Sequence, residues 1–143
     1  MHIELGGKLA LICASTRGLG FACASSLIKA GSSVIITGRS GSRLSEARQE
    51  LLILAAECSS DPCVHALEVD LDDRESFNDF LYRLNGFPDI DILVANSGGP
   101  APGDFNSFTS VEDFEEKCSR ITFPATSLIK YVLPKMRKKN GVV

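Results

Sequence analysis

Four short apolar runs, "KLALICA", "SSVIITG", "CVHALEVDL" and "DIDILVANSGG", alternate with segments of helical periodicity. Each run has strand length and is rich in aliphatic residues, as strands buried on both faces are. After the first run, Gly18 to Ala30 sets Leu19, Ala22, Cys23, Leu27 and Ile28 at helical spacing, with Gly31 as a stop. After the second, "GSRLSEARQELLILAAECS" places Leu44, Ala47, Leu51, Leu54 and Ala55 on one side. A third helix is predicted from about Asp73 to Leu84, with Phe77, Phe80, Leu81 and Leu84 as its stripe. A long fourth helix is predicted from Thr109 to about Lys139. Thr109 and Glu112 have capping-box spacing, and Pro124 and Pro134 are places for a bend.

Strands that alternate with helices pair in parallel and need helices on both faces of the sheet. The crossover rule then predicts the order 3-2-1-4, with Gly18 to Gly20 at the carboxyl end of the first strand. The class is α/β, a Rossmann-type doubly wound sheet, and residues 1–143 read as one domain without repeat or linker. "NGVV" reads as the beginning of a fifth strand, so the pattern predicts a fold truncated at the start of strand five.

A formal net charge of -3 gives no support to a general nucleic-acid surface. No apolar run reaches the roughly 18 residues of a membrane span, and the first residues lack the basic and apolar parts of a signal peptide. The expectation is a cytoplasmic protein without nucleic-acid or membrane partners. Of the five cysteines, Cys58 and Cys63 have spacing for a small disulfide loop or half a metal site. Only His2 and His65 are available as histidine ligands, so no metal is expected, and the cysteines read mostly as small buried hydrophobes.

The turn "LICASTRGLG" is the first place where chemistry shows. Backbone amides at a helix start are unpaired donors, the helix dipole favours an anion there, and glycines allow close approach. Gly18 and Gly20 stand at that start, with a strand before and a helix after. The second strand ends in Thr37-Gly38-Arg39-Ser40, with no carboxylate. NAD sites favour an acid at that end, for the ribose hydroxyls, whereas arginine suits a 2′-phosphate.

With these residues in order, the chain resembles the short-chain dehydrogenase/reductase family, and in it the classical members similar to 3-oxoacyl-acyl-carrier-protein reductases and sugar dehydrogenases. The family's T-G-x-x-x-G-x-G reads here Cys13-Ala14-Ser15-Thr16-Arg17-Gly18-Leu19-Gly20, with the first Thr and Gly replaced. Its Asp after strand three matches Asp70, followed by Leu71, and its N-N-A-G matches Ala95-Asn96-Ser97-Gly98. "LPKM", Leu133 to Met136, is similar to the end of its long helix. The resemblance spans the whole chain as the N-terminal part of such an enzyme. It implies a cofactor held along Ala14 to Gly20, by Arg39 and Ser40, by Asp70 and Leu71 at the adenine, and by Asn96, Ser97 and Gly98 at the nicotinamide ribose. Asn96 is also implied to steady the centre of the sheet. Arg17 lies near the same 2′-position as Arg39 in the family, so NADP(H) is expected over NAD(H).

The family's chemistry uses a serine and a Tyr-x-x-x-Lys pair. A nearby cation favours the phenolate and brings the tyrosine towards its working range. "YVLPK" gives Tyr131 and Lys135 that spacing, but on the helix before strand five, whereas the family's pair follows it. Tyr131 is therefore expected to pack, and no residue in this sequence is assigned to catalysis. The expected Ser, Tyr and Lys would lie beyond Val143, so the chain alone would be inactive. Counting back from "LPKM", Ile121 falls where the family carries a helix asparagine.

The resemblance implies an NADP(H)-dependent oxidoreductase that moves hydride between nicotinamide and a small carbonyl or alcohol, 3-oxoacyl or sugar-like. The alternatives are a non-catalytic dinucleotide-binding or interaction protein, and a methyltransferase, which usually wants a carboxylate where Arg39 stands. "GGPAPGDF" is expected to border the substrate pocket. The resemblance implies a homodimer or homotetramer formed through the long helix, and Val111 to Tyr131 carries more apolar residues than one face can bury.

Overall fold

The computed structural model describes residues 3–97 and 110–139. The elements run β1 (Leu9–Ile12), α1 (Gly18–Lys29), β2 (Ser33–Gly38), α2 (Gly41–Ala56), β3 (Val64–Glu68), α3 (Arg74–Leu84), β4 (Ile92–Val94) and α4 (Val111–Lys139). The sheet order is β3-β2-β1-β4 and every pairing is parallel, as the strand–helix alternation predicts. "NGVV" and "GGPAPGDF" lie outside the described residues.

Side chains on a strand point alternately to its two faces. In β1 that sends Leu9 and Leu11 to one layer and Ala10 and Ile12 to the other. α3 and α4 cover the first layer with Phe77, Phe80, Leu128, Val132 and Met136. α1 and α2 cover the second with Ala24, Ile28, Leu44 and Leu51. All four residues of β1 are buried, because both layers close over the central strand. β3, at an edge, leaves His65 and Glu68 exposed.

The face of α1 is rotated from its sequence expectation. Gly20, Ala24 and Ile28 are buried, while Leu19 is 74% exposed and Ala22 is exposed too. A count of apolar residues cannot see that Gly20 has no side chain and brings the helix against the turn. α3 is capped by Asp73, whose carboxylate accepts from the Ser76 amide at 2.7 Å. Asp70 does not cap it; its Oδ1 accepts from the Asp72 amide at 3.0 Å, shaping the turn before the helix. α4 begins at Val111, and Ser110 caps it by accepting from the Asp113 amide at 3.2 Å. The expected cap Thr109 lies outside the described residues. The Glu112 carboxyl is held below its ordinary range by its own backbone amide and by the Ser110 hydroxyl. Pro124 and Pro134 both lie inside the helix. α4 leaves Val111, Phe114, Ile121 and Phe123 exposed.

The cysteines are less uniformly buried than expected. Only Cys13 is fully inside, Cys23 and Cys58 are half-buried, and Cys63 and Cys118 are exposed; all five thiols are free. Burial raises the Cys13 thiol to about 12, because the thiolate would lose its hydration. Among the described residues no helix is long and apolar enough to cross a membrane.

Asp91 is a buried acid that no sequence pattern announced. Its Oδ2 accepts from the Leu9 amide at 3.0 Å and its Oδ1 lies 3.5 Å from Lys8 Nζ, while its own amide donates to Leu9 O at 2.9 Å. It thereby joins the starts of β1 and β4, where the three-residue β4 has little ladder of its own. Asp91→Ala would strand the buried Leu9 amide and should destabilise the fold by about 1–3 kcal/mol. Asp91→Asn, which keeps an acceptor, should cost less. Urea unfolding of both variants measures the difference.

Candidate functional site

The carboxyl end of β1 runs into a turn that is fixed before any ligand arrives. Ser15 and Thr37 are both fully buried there. The Ser15 amide donates to Thr37 O at 2.8 Å, and the Thr37 amide donates to Ser15 Oγ at 2.9 Å. Ser15 Oγ in turn donates to Ile12 O at 2.8 Å, and Thr37 Oγ1 accepts from the Ala14 amide at 3.1 Å. These bonds extend the pairing of β1 and β2 past the ends of the ladder.

Ala14 holds φ at +47°, a left-handed conformation that L residues adopt at a cost of about 1–2 kcal/mol. The backbone therefore turns as the family's first glycine would, with an alanine in its place. Gly18 also has a left-handed φ, +59°, and space for a ligand beside it, since an added Cβ would meet nothing within 4 Å. Gly20 has the opposite requirement. A Cβ there would sit 2.5 Å from Ala14 O and 2.9 Å from Ser15 Cα. Both are backbone atoms and cannot swing aside, so Gly20 sets how closely α1 approaches the turn.

The turn opens on a cleft of about 440 Å³ at the carboxyl ends of the strands, a volume in the range of small-molecule sites. Of the residues singled out in the sequence, Ala14, Thr16, Arg17, Gly18 and Leu19 line it from the first turn. Arg39 and Ser40 line it from the end of β2, and Asp70, Leu71, Asn96 and Ser97 from beyond β3 and β4. Ser15 and Gly20 are not on its surface: the first is consumed by the staple to Thr37, and the second is packed against the turn. Gly98 lies outside the described residues.

Asn96 Nδ2 donates to Cys13 O at 3.3 Å and to Ala14 O at 3.2 Å. It ties the end of β4 to the end of β1, as the sheet-steadying role implied by the resemblance requires. Two arginines in the cleft escaped the sequence reading. Arg43 comes from the first turn of α2 and lines the same cleft as Arg39. Arg120 comes from α4, one position before Ile121. Arg17, Arg39 and Arg43 make no ion pair among the described residues.

Neither helix start in the cleft is closed by a cap of its own, although at α2 the Glu68 carboxylate lies 2.9 Å from where a Cβ on Gly41 would stand. α1 begins after Arg17 and α2 after Ser40; neither has a side-chain cap or an acid in its first turn. The Ser40 hydroxyl pairs instead with Ser42 Oγ at 3.2 Å. α3, which carries Asp73 and Glu75, shows what a closed start looks like in the same chain. Two helix starts and three guanidiniums that make no ion pair among the described residues together favour an anionic ligand.

Tyr131 points elsewhere. Its hydroxyl lies 2.6 Å from Asn85 Oδ1 and 3.1 Å from Leu81 O, both at the end of α3. Lys135 Nζ sits 5.2 Å from the centre of its ring. Neither residue lines the cleft. Among the described residues no group of three His, Cys, Asp or Glu side chains could hold a metal.

The close approach at Gly20 gives a direct test of the turn. Gly20→Ala should destabilise the protein by roughly 1–3 kcal/mol, the usual cost of forcing a methyl into a packed site. Thermal or urea unfolding reads it, and an unchanged midpoint would show that the turn can yield.

Comparison with known proteins agrees with this geometry. The family model described as short chain dehydrogenase matches residues 8–143. The oxidoreductase YvrD of Bacillus subtilis is 33% identical over 141 residues, covering 99% of this chain and 51% of that protein. The 3-oxoacyl-[acyl-carrier-protein] reductase FabG of Aquifex aeolicus is 40% identical over 99 residues, 68% of this chain and 38% of that one. The crystal structure of L-sorbose reductase from Gluconobacter frateurii, complexed with NADPH and L-sorbose, superposes with a TM-score of 0.81 at 25% identity, over 97% of this chain and 51% of that one. The chain spans about half the length of such relatives. From the glycine turn, the parallel sheet order and the family match over residues 8–143, the chain belongs to the short-chain dehydrogenase family.

Proposed function

We propose that the protein is an NADP(H)-dependent oxidoreductase, acting on a small carbonyl or alcohol of 3-oxoacyl or sugar-like type. The observation that carries the cofactor choice is the convergence of Arg17, Arg39 and Arg43 on one cleft without an ion-pair partner among the described residues. Like charges held together repel, and an anion that joins them relieves the cost. A 2′-phosphate offers that charge with oxygens suited to guanidinium forks, and NAD(H) has none.

On this reading the open start of α1 receives the diphosphate, beside Gly18 and Leu19. Asp70 and Leu71 meet the adenine, and Asn96, Ser97 and Gly98 run along the nicotinamide ribose. When bound, the nicotinamide supplies or accepts a hydride at C4. This chain's own residues bind, orient and fix the register of the cofactor through the Ser15–Thr37 staple and the Asn96 tie. The names of similar proteins support the substrate class: a 3-oxoacyl reductase, and a sorbose reductase seen with NADPH. Tyr131 is not assigned to proton transfer, because its hydroxyl is engaged at the end of α3. The exposed apolar residues of α4 support association into a dimer or tetramer.

Arg39→Ala should weaken NADPH by about 10- to 100-fold, the scale of a lost charged hydrogen bond, and leave NADH nearly unchanged. Titration of both cofactors against wild type and variant decides. Equal weakening would mean that Arg39 supports the loop and does not read the phosphate.

Tyr131→Phe should leave NADPH affinity unchanged and lower stability by about 0.5–1.5 kcal/mol, through loss of its hydrogen bonding to α3. Where turnover is measured, the variant should keep most of it. A loss of about a hundredfold or more, with folding intact, would return Tyr131 to the chemistry.

A further inference from the structure

The cleft lies between two helical layers, and its cations do not all come from one of them. Arg17 and Arg43 belong to the starts of α1 and α2, and Arg39 to the end of β2. Arg120 comes from α4, which with α3 covers the opposite face of the sheet. In the order β3-β2-β1-β4, β2 and β4 flank the central β1. Three residues on from Arg120, Phe123 packs against Phe77 at 6.2 Å and under the Arg74 guanidinium at 5.3 Å, so Arg120 enters the cleft from the α3–α4 face beside the start of α3.

Arg120 is poised without being spent. Its Nη2 lies 2.7 Å from Glu116 Oε1, one turn earlier on α4, and the two side chains are 59% and 64% exposed. An exposed pair at this spacing is weak and exchanges readily for a ligand of higher charge. Glu116 does not line the cleft, so Arg120 is the end of the pair that meets it. The helix that carries it is fixed to the sheet by Leu128, Val132 and Met136, all buried.

We propose, on the dinucleotide reading above, that Arg120 clasps the adenosine diphosphate part of the cofactor from the α4 layer. It reads charge common to NADPH and NADH, whereas Arg39 reads the 2′-phosphate. The two walls of the cleft then hold the same ligand through different groups. Glu116 acts as a positioning residue, aiming the guanidinium when the cleft is empty and competing with the phosphate when it fills.

The test titrates NADPH, NADH, ADP-ribose and NMNH against wild type, Arg120→Ala, Arg120→Lys, Glu116→Gln and Arg39→Ala. Arg120→Ala should weaken NADPH, NADH and ADP-ribose by the same factor, about three- to tenfold at low salt, and leave NMNH unchanged. Arg120→Lys should recover part of the loss, and Glu116→Gln should tighten the same three ligands by up to about threefold. The effects should shrink at roughly 0.5 M salt, where exposed charges are screened. Unliganded melting temperatures should not move. A change below about twofold for all three ligands would overturn the proposal, as would a loss confined to NADPH. If Arg39→Ala weakens both dinucleotides alike while Arg120→Ala behaves as stated, the 2′-phosphate reading falls and the clasp stands. If wild type binds none of the four ligands, both fall.

Discussion

The cleft depends on one buried exchange, between Ser15 and Thr37. A parallel ladder ends where its strands end, and beyond that point the backbone must find other partners or stay hydrated. Here Ser15 and Thr37 bond each other through amide, carbonyl and hydroxyl, at 2.8 and 2.9 Å, in a site closed to solvent. The exchange carries the turn after β1 and the exit of β2 as one unit. Arg17 and Arg39 follow those two segments directly, so their separation is set by a bond that neither makes. The same exchange lets Ala14 stay at φ +47°: the surrounding bonds, including the Ala14 amide to Thr37 Oγ1, hold a conformation that an isolated alanine would leave.

Asn96 does for β4 what Ser15 does for β2. Its side-chain amide reaches two successive carbonyls, those of Cys13 and Ala14, on the far side of the turn. The turn is thus tied to both neighbouring strands, and the carboxyl edge of the sheet is rigid at its centre. Asp91 closes the opposite edge, joining the starts of β1 and β4. A β4 of three residues can serve as a sheet strand because side chains hold both its ends.

Much of this was legible in the sequence, and the parts that were not share a physical cause. Strand order and layer assignment follow from hydrophobic period and handedness, which are local and repetitive. The place of Arg39 in the cleft was legible because it depends on position at a strand end. Ser15 was read as a cofactor contact because it sits in the glycine turn, yet its hydroxyl faces inward; sequence places a residue in a turn without giving its direction. Leu19 was read both as part of the apolar stripe and as part of the cofactor turn; it is exposed and borders the cleft, while Gly20 packs against the turn. Asp91 and Arg120 gave no local signal, because Asp91 meets the Leu9 amide and Arg120 reaches a cleft built mostly from residues far earlier in the chain. Arg43 was legible in principle, four residues after Arg39 at a helix start, and needed only the helix to be placed.

The two uncapped helices carry the same logic into function. A helix start without a cap leaves amides unsatisfied and costs stability, commonly about 1 kcal/mol relative to a good cap. α3 avoids that cost with Asp73, so the chain is capable of it. α1 and α2 have no such cap and carry arginine at or beside their starts; α2 has the Glu68 carboxylate beside Gly41, whereas α1 has no acid in its first turn. Stability alone does not explain two such starts on one cleft. An anion that binds there satisfies the amides, meets the dipoles and neutralises the guanidiniums in one step. On the dinucleotide reading proposed above, an anion bound there would recover at these ends the free energy that Asp73 supplies by capping α3.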